Sequence, residues 1–165
     1  MNLDRPFKIL FLCTGNSARS IFAEYLIRRL GKGKFEAFSA GANPRPEINA
    51  YAARVLRESY EMDPSDARPK SWDEYKHMVF DFVITLCDNA KEQCPVWPGQ
   101  PIIAHWPSPD PADFKGSDQE IYRQFWQVSR QIYHRLDIFC NLPFDKLDRL
   151  RLEHETKEIG KTKNE

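Results

Sequence analysis

Apolar positions along this chain recur with two different periods, and the alternation between them sketches an architecture. Phe7-Lys8-Ile9-Leu10-Phe11-Leu12 is a short, nearly continuous apolar run stopped by Gly15, the pattern of a buried strand. From Ser20 to Gly31 the period lengthens: Phe22, Leu26 and Leu30 fall on every fourth residue, and Gly31 stands where a helix stops. Phe35 to Ala40, ending at Gly41, predicts a second strand. Pro46 to Ser59 predicts a second helix, with Ile48, Ala52, Val55 and Leu56 on one face. Asp81 to Leu86 and Ile102 to Trp106 predict two further strands, with Cys87 at the carboxyl end of the first. Ser117 to Phe139 predicts a long amphipathic helix, its apolar stripe running Ile121, Phe125, Val128, Ile132, Leu136 and Phe139. From Asp145 onward Lys and Glu interleave, which predicts a solvated tail. The boundaries read from this pattern are one domain over 1–142 and a charged C-terminal tail over 143–165.

Strands alternating with helices predict an α/β fold: a single domain with a four-stranded, mostly parallel sheet flanked by helices on both faces. Ligands in such folds bind beyond the carboxyl ends of the strands. Cys13, Cys87 and the segment after Trp106 all fall at such ends.

Composition narrows the function classes. The chain has 165 residues, enough to bury roughly 70% of its unfolded surface in one core. With 41% hydrophobic and 29% charged residues it reads as globular rather than disordered. Lys+Arg and Asp+Glu are both 24, and zero net charge argues against nucleic-acid binding. No apolar run approaches the ~20 residues of a membrane span, and the polar start Met-Asn-Leu-Asp-Arg-Pro shows no export signal, so a cytoplasmic monomer is expected. Four cysteines are too few for a disulfide scaffold.

The chemistry concentrates in Cys13-Thr14-Gly15-Asn16-Ser17-Ala18-Arg19-Ser20, between the first strand and the first helix. Backbone N–H groups in such a turn cradle a tetrahedral oxyanion, and the helix N-terminus adds its dipole. Arg19 adds a planar two-pronged clamp. The same field predicts a lowered pKa for Cys13, making it a nucleophile beneath a bound anion. A single glycine excludes a dinucleotide fingerprint, and no Gly-Lys-Ser/Thr follows to make a Walker loop. Asp110, before Pro111, is either a turn-former or a general acid, with Asp113 second. His105 reads as a strand-end hydrogen-bonding residue, and Cys140 as a plain buried thiol.

Cys87 and Cys94 have no second pair or clustered His for zinc, and no metal or cofactor is expected. The residues alone leave open whether they are unrelated thiols or a redox pair. On a helix, residues seven apart lie about 10 Å apart along the axis, whereas a disulfide needs Cα atoms within about 7 Å. Bridging them would therefore require a helical stretch to unwind.

Together, the Cys13-to-Ser20 loop and Asp110-Pro111 resemble the low-molecular-weight tyrosine phosphatase superfamily. Within it, Cys87-x6-Cys94-Pro95 and His105-Trp106…Asp110-Pro111-Ala112 look like the thioredoxin-coupled arsenate reductases. Ser39-Ala40-Gly41, Lys70-Ser71-Trp72 and Gly116-Ser117-Asp118 add to the likeness. The resemblance implies an oxyanion loop of Thr14, Gly15, Asn16, Ser17, Ala18, Arg19 and Ser20. It also implies a cascade in which Cys13 attacks arsenate, Asp110 protonates the departing oxygen, Cys87 attacks Cys13 and Cys94 attacks Cys87. Thioredoxin or a similar dithiol would reduce the final pair, and phosphate or sulfate would compete with arsenate. The alternative is a phosphatase using only Cys13, Arg19 and Asp110. Asn16 and Glu24 match the positions of a monovalent-cation site in some members, while Ser59 to Arg68 departs from the pattern.

Overall fold

The computed structural model describes residues 4–162. Four strands, β1 (Phe7–Cys13), β2 (Phe35–Gly41), β3 (Phe82–Thr85) and β4 (Ile102–His105), form one sheet in the order β2-β1-β3-β4. All three pairings are parallel. Five helices accompany them: α1 (Arg19–Gly31), α2 (Ala50–Tyr60), α3 (Asp88–Gln93), α4 (Asp118–Cys140) and α5 (Arg149–Ile159).

Strand periodicity divides the core in two. On β1, Ile9 and Phe11 enter a large cluster with side chains of α1, α2, α4 and α5, while Leu10 and Leu12 face a smaller one containing Phe80, Val83, Ala90 and Trp97. Parallel register then sets the site: Cys13 pairs with Gly41, Leu12 with Thr85, and Thr85 with His105, so the strands finish on one edge.

Two expectations change. The second helix starts at Ala50 rather than Pro46, because Asn49 caps it by accepting from the amides of Tyr51 and Ala52. The residues before it, including Pro44 and Pro46, form an irregular, bent segment hydrogen-bonded to the loop after Cys13. The expected solvated tail is not solvated: α5 packs on β4, with Leu152, Thr156 and Ile159 buried. Its charges lie on the outer face, and Leu152 and Ile159 are seven residues apart, so one stripe meets the core. Among the described residues no helix is long and apolar enough to cross a membrane.

Candidate active site

The loop leaving β1 is held from below by side chains. Asn16 adopts a left-handed backbone, φ 48°, costly for a residue with a Cβ unless its side chain compensates. Here it does: Asn16 donates to Ser20 Oγ at 2.8 Å and Ser39 Oγ at 3.0 Å, and accepts from the Lys70 amide at 2.9 Å. Beneath it, Ser39 bonds Glu24, and the Lys70 ammonium donates to Arg68 O at 2.7 Å and lies 3.8 Å from Glu24. Burial lowers the Lys70 pKa, with Glu24 opposing. A fixed ammonium of the chain itself thus stands beside Glu24, one of the two positions matching the cation site. Gly41 closes the same floor, since a Cβ there would stand 2.5 Å from the Thr14 carbonyl oxygen.

Cys13, Thr14, Gly15, Asn16, Ser17, Ala18 and Arg19 line a cavity of about 950 Å³, together with Asp110 and Asp113. Ser20 does not line it; fully buried, it instead receives the Asn16 amide. Ala18 supplies no side-chain cap to α1, which leaves the helix's first N–H groups available to an anion. Arg19 lies along the wall, donating through Nη1 to Ser108 O at 3.0 Å and standing through Nη2 3.5 Å from Asp110 Oδ2. Asp110 also accepts from the Ala112 amide at 3.0 Å, so the turn-forming and site-facing roles coexist. The opposite wall was not legible in the sequence. Asn43, Pro44, Arg45, Pro46, Glu47 and Asn49 line it because Asn43 N bonds Thr14 O, Arg45 N bonds Gly15 O and Asn49 N bonds Ser17 O. The closely spaced prolines, which favour extended chain, were the available signal.

Cys87 caps the start of α3 and shares the smaller buried cluster with Cys13. Asn89 Nδ2 donates to Thr14 Oγ1 at 3.0 Å, which leaves the Thr14 hydroxyl proton free for Cys87 Sγ at 3.2 Å. The Ala90 amide donates to the same sulfur at 3.4 Å. The Cys87 pKa is drawn down to about 5, first by its hydrogen bond with Cys13, against burial, and then by Thr14, Ala90 and Arg19. Cys13 moves the other way, pushed up by that same hydrogen bond and by burial while Arg19 opposes. The expectation of a lowered Cys13 pKa is therefore corrected: the neighbouring Cys87 and burial push it up, while Cys87 itself is drawn down with Thr14 and the Ala90 amide as added donors.

Cys94 caps the other end of the six-residue α3, half-buried, its pKa raised by burial with Trp97 opposing. Cys87 and Cys94 are thus held apart by helix. His105 bridges Thr85 Oγ1 at 2.8 Å and Asp88 Oδ1 at 3.0 Å, as a strand-end hydrogen-bonding residue does. Cys140 is buried far from these sulfurs in sequence and among other partners, and burial lifts its pKa to about 12. Among the described residues no group of three or more His, Cys, Asp or Glu is placed to hold a metal.

Comparison with known proteins follows the same lines. A family model described as low molecular weight phosphotyrosine protein phosphatase matches residues 8–151. A relative from Oceanobacillus iheyensis named arsenate reductase is 34% identical over 132 residues, 80% of this chain and 94% of its own. A solved structure described as an arsenate reductase in the phosphate binding state has a TM-score of 0.68 at 27% identity, covering 81% of this chain and 96% of that one. A thioredoxin-dependent arsenate reductase from Corynebacterium glutamicum has a TM-score of 0.57 at 26% identity, covering 82% of this chain and 64% of that one.

Proposed function

Because this chain belongs to the low molecular weight phosphotyrosine protein phosphatase family, we propose that it is an arsenate reductase working through a three-cysteine disulfide cascade. The observation that carries this reading is the meeting of the two segments at the loop: Cys13 lines the cavity, the Thr14 hydroxyl next to it lies 3.2 Å from Cys87 Sγ, and Cys94 is only a short helix away. A phosphatase of this fold needs the first cysteine alone.

Arsenate sits in the loop from Cys13 to Arg19, clamped by the Arg19 guanidinium. Proton transfer through the Cys13–Cys87 hydrogen bond puts the charge on Cys13, which attacks arsenic. Asp110 protonates the leaving oxygen, and water departs. Cys87 then loses its proton, stabilised by Thr14 and the Ala90 amide, and attacks the Cys13 sulfur. The sulfur–sulfur bond forms as the sulfur–arsenic bond breaks, and its electron pair stays on arsenic, which leaves as arsenite. Cys94 attacks Cys87, the Cys87–Cys94 bridge forms, and Cys13 returns as thiolate. A dithiol carrier of the thioredoxin type, in a reducing cytoplasm, takes the bridge back to two thiols. Phosphate and sulfate, with the same shape and charge, compete for the cradle.

Arsenite release with reduced thioredoxin as the electron donor tests the reading. Cys94→Ser is expected to release one arsenite per enzyme and stop, whereas continued turnover at the parent rate would remove Cys94 from the cascade. The phosphatase alternative predicts phosphoester cleavage that Cys94→Ser leaves intact, with no arsenite formed by the parent chain.

A further inference from the structure

Arg135 is an unusual group for an interior. It is 4% exposed on α4, and no carboxylate pairs with it among the ion pairs of the described residues. Its guanidinium meets backbone carbonyls instead: Nη1 donates to Pro107 O at 2.7 Å, and Nη2 to Gly160 O and Thr162 O at 3.2 Å each. Among the described residues the Nε atom finds no partner. Burying a cation is expensive, and among the described residues only carbonyl dipoles meet this one, so what the carbonyls belong to matters.

They belong to two pieces of chain. Pro107 begins the loop that carries Ser108 and Asp110. Gly160 and Thr162 lie at the end of α5, beyond residue 151 where the family match stops. The same two pieces meet twice more. Trp106 Nε1 donates to Thr156 O at 3.0 Å, and Gly160 lies so close to His105 that a Cβ there would stand 2.1 Å from the His105 carbonyl oxygen. Past these ties the loop reaches the site through Ser108 O and Asp110, both on Arg19.

We propose that Arg135 is a positioning residue for the Asp110 loop, and that the end of α5 is the anchor it uses. The loop has short secondary structure of its own, the single turn Pro111–Asp113. Its root is held to the β3 side by two backbone bonds, Trp106 N to Thr85 O at 2.8 Å and Ser108 N to Leu86 O at 3.0 Å. Between them Arg135 adds a tie at Pro107 O that joins the root to two more elements at once, α4 and α5. A misplacement of about 1 Å at a reacting group can cost a reaction about a hundred-fold, so a remote tie of this kind acts on rate. The inference rests on the reading of Asp110 as the proton donor.

A mutant cycle measured on the first arsenite released, in single turnover with the full chain, tests it. Asp110→Asn alone reads the proton-donor role, with an expected loss of about a hundred-fold. Arg135→Gln is expected to slow the same step about ten-fold while arsenate affinity stays within about two-fold, and Arg135→Gln added to Asp110→Asn is expected to slow it no further. Trp106→Phe, which puts a smaller aromatic ring in place of the indole and deletes the bond to Thr156, repeats the cycle with a smaller loss should Arg135→Gln not fold. Losses that multiply in the double variants overturn the proposal, as does a parent rate in Arg135→Gln. A loss in Arg135→Gln beside an unaffected Asp110→Asn overturns it too, and separately removes Asp110 as proton donor.

Discussion

At the scale of single residues, the site is governed by which atom each polar group finds. Thr14 illustrates this: as part of the loop it belongs with the anion-binding residues, yet its hydroxyl is oriented by Asn89 toward Cys87. The consequence is measurable. One thiolate should titrate near pH 5 in the ultraviolet absorbance of the reduced protein, and Cys87→Ser should abolish it. A protein in which no thiol ionises below about pH 8 would refute this. The linkage has a definite sign. Cys87 ionises at lower pH folded than unfolded, so its contribution to stability is fully present above about pH 8.5, where the unfolded thiol has also ionised, and is lost as pH falls through about 5. Cys13, Arg19 and the loop were legible from residue types and their place between strand and helix. The distribution of charge between two sulfurs was not, because it depends on donors from three separate segments.

At the scale of elements, α3 is the part that the proposed Cys87–Cys94 bridge has to open. Six residues are far below the ~12–15 at which a helix holds by itself, so α3 persists through its packing and its caps. Its N-terminal cap is the Cys87 sulfur, bonded by the Ala90 amide. When Cys87 enters a disulfide it loses its negative charge, and with it the favourable contact to the helix N-terminus. On the proposed cascade, oxidation of Cys87 to a disulfide thereby loosens the helix that separates it from Cys94. In the Cys87–Cys94 form, amide exchange over residues 88–93 should accelerate while the strand amides stay protected. Unchanged protection of those six amides would mean that the bridge does not form across α3. The spacing of the two cysteines showed that a helix between them would have to open. That the segment is a helix at all depends on tertiary packing of Ala90 against β3, a contact no local pattern carries.

For the whole molecule, the decisive feature is how the sheet's edge strand is finished. β4 is a terminal strand, and an open strand edge invites pairing with other chains. Here α5 covers it, burying Leu152 and Ile159 in the same cluster as Phe11 and Trp106. Leu152→Ala should therefore lower the unfolding free energy by about 2–4 kcal/mol in a denaturant titration, where a solvated tail would give none. The charge pattern of that segment hid this, because a helix with a narrow apolar stripe has the composition of a disordered tail. By itself the sequence determined the alternating elements, the parallel sheet and the place of the Cys13-to-Arg19 loop between a strand and a helix, since these follow from local period and from short motifs, while it left open whether Cys87 and Cys94 pair. Tertiary structure decided how the surroundings of the two sulfurs differ, which segment bonds to the loop as the cavity's second wall and where the last helix lies. Each of those depends on groups distant in the chain meeting at hydrogen-bond or van der Waals range, and that proximity is a property of the packed core rather than of any segment.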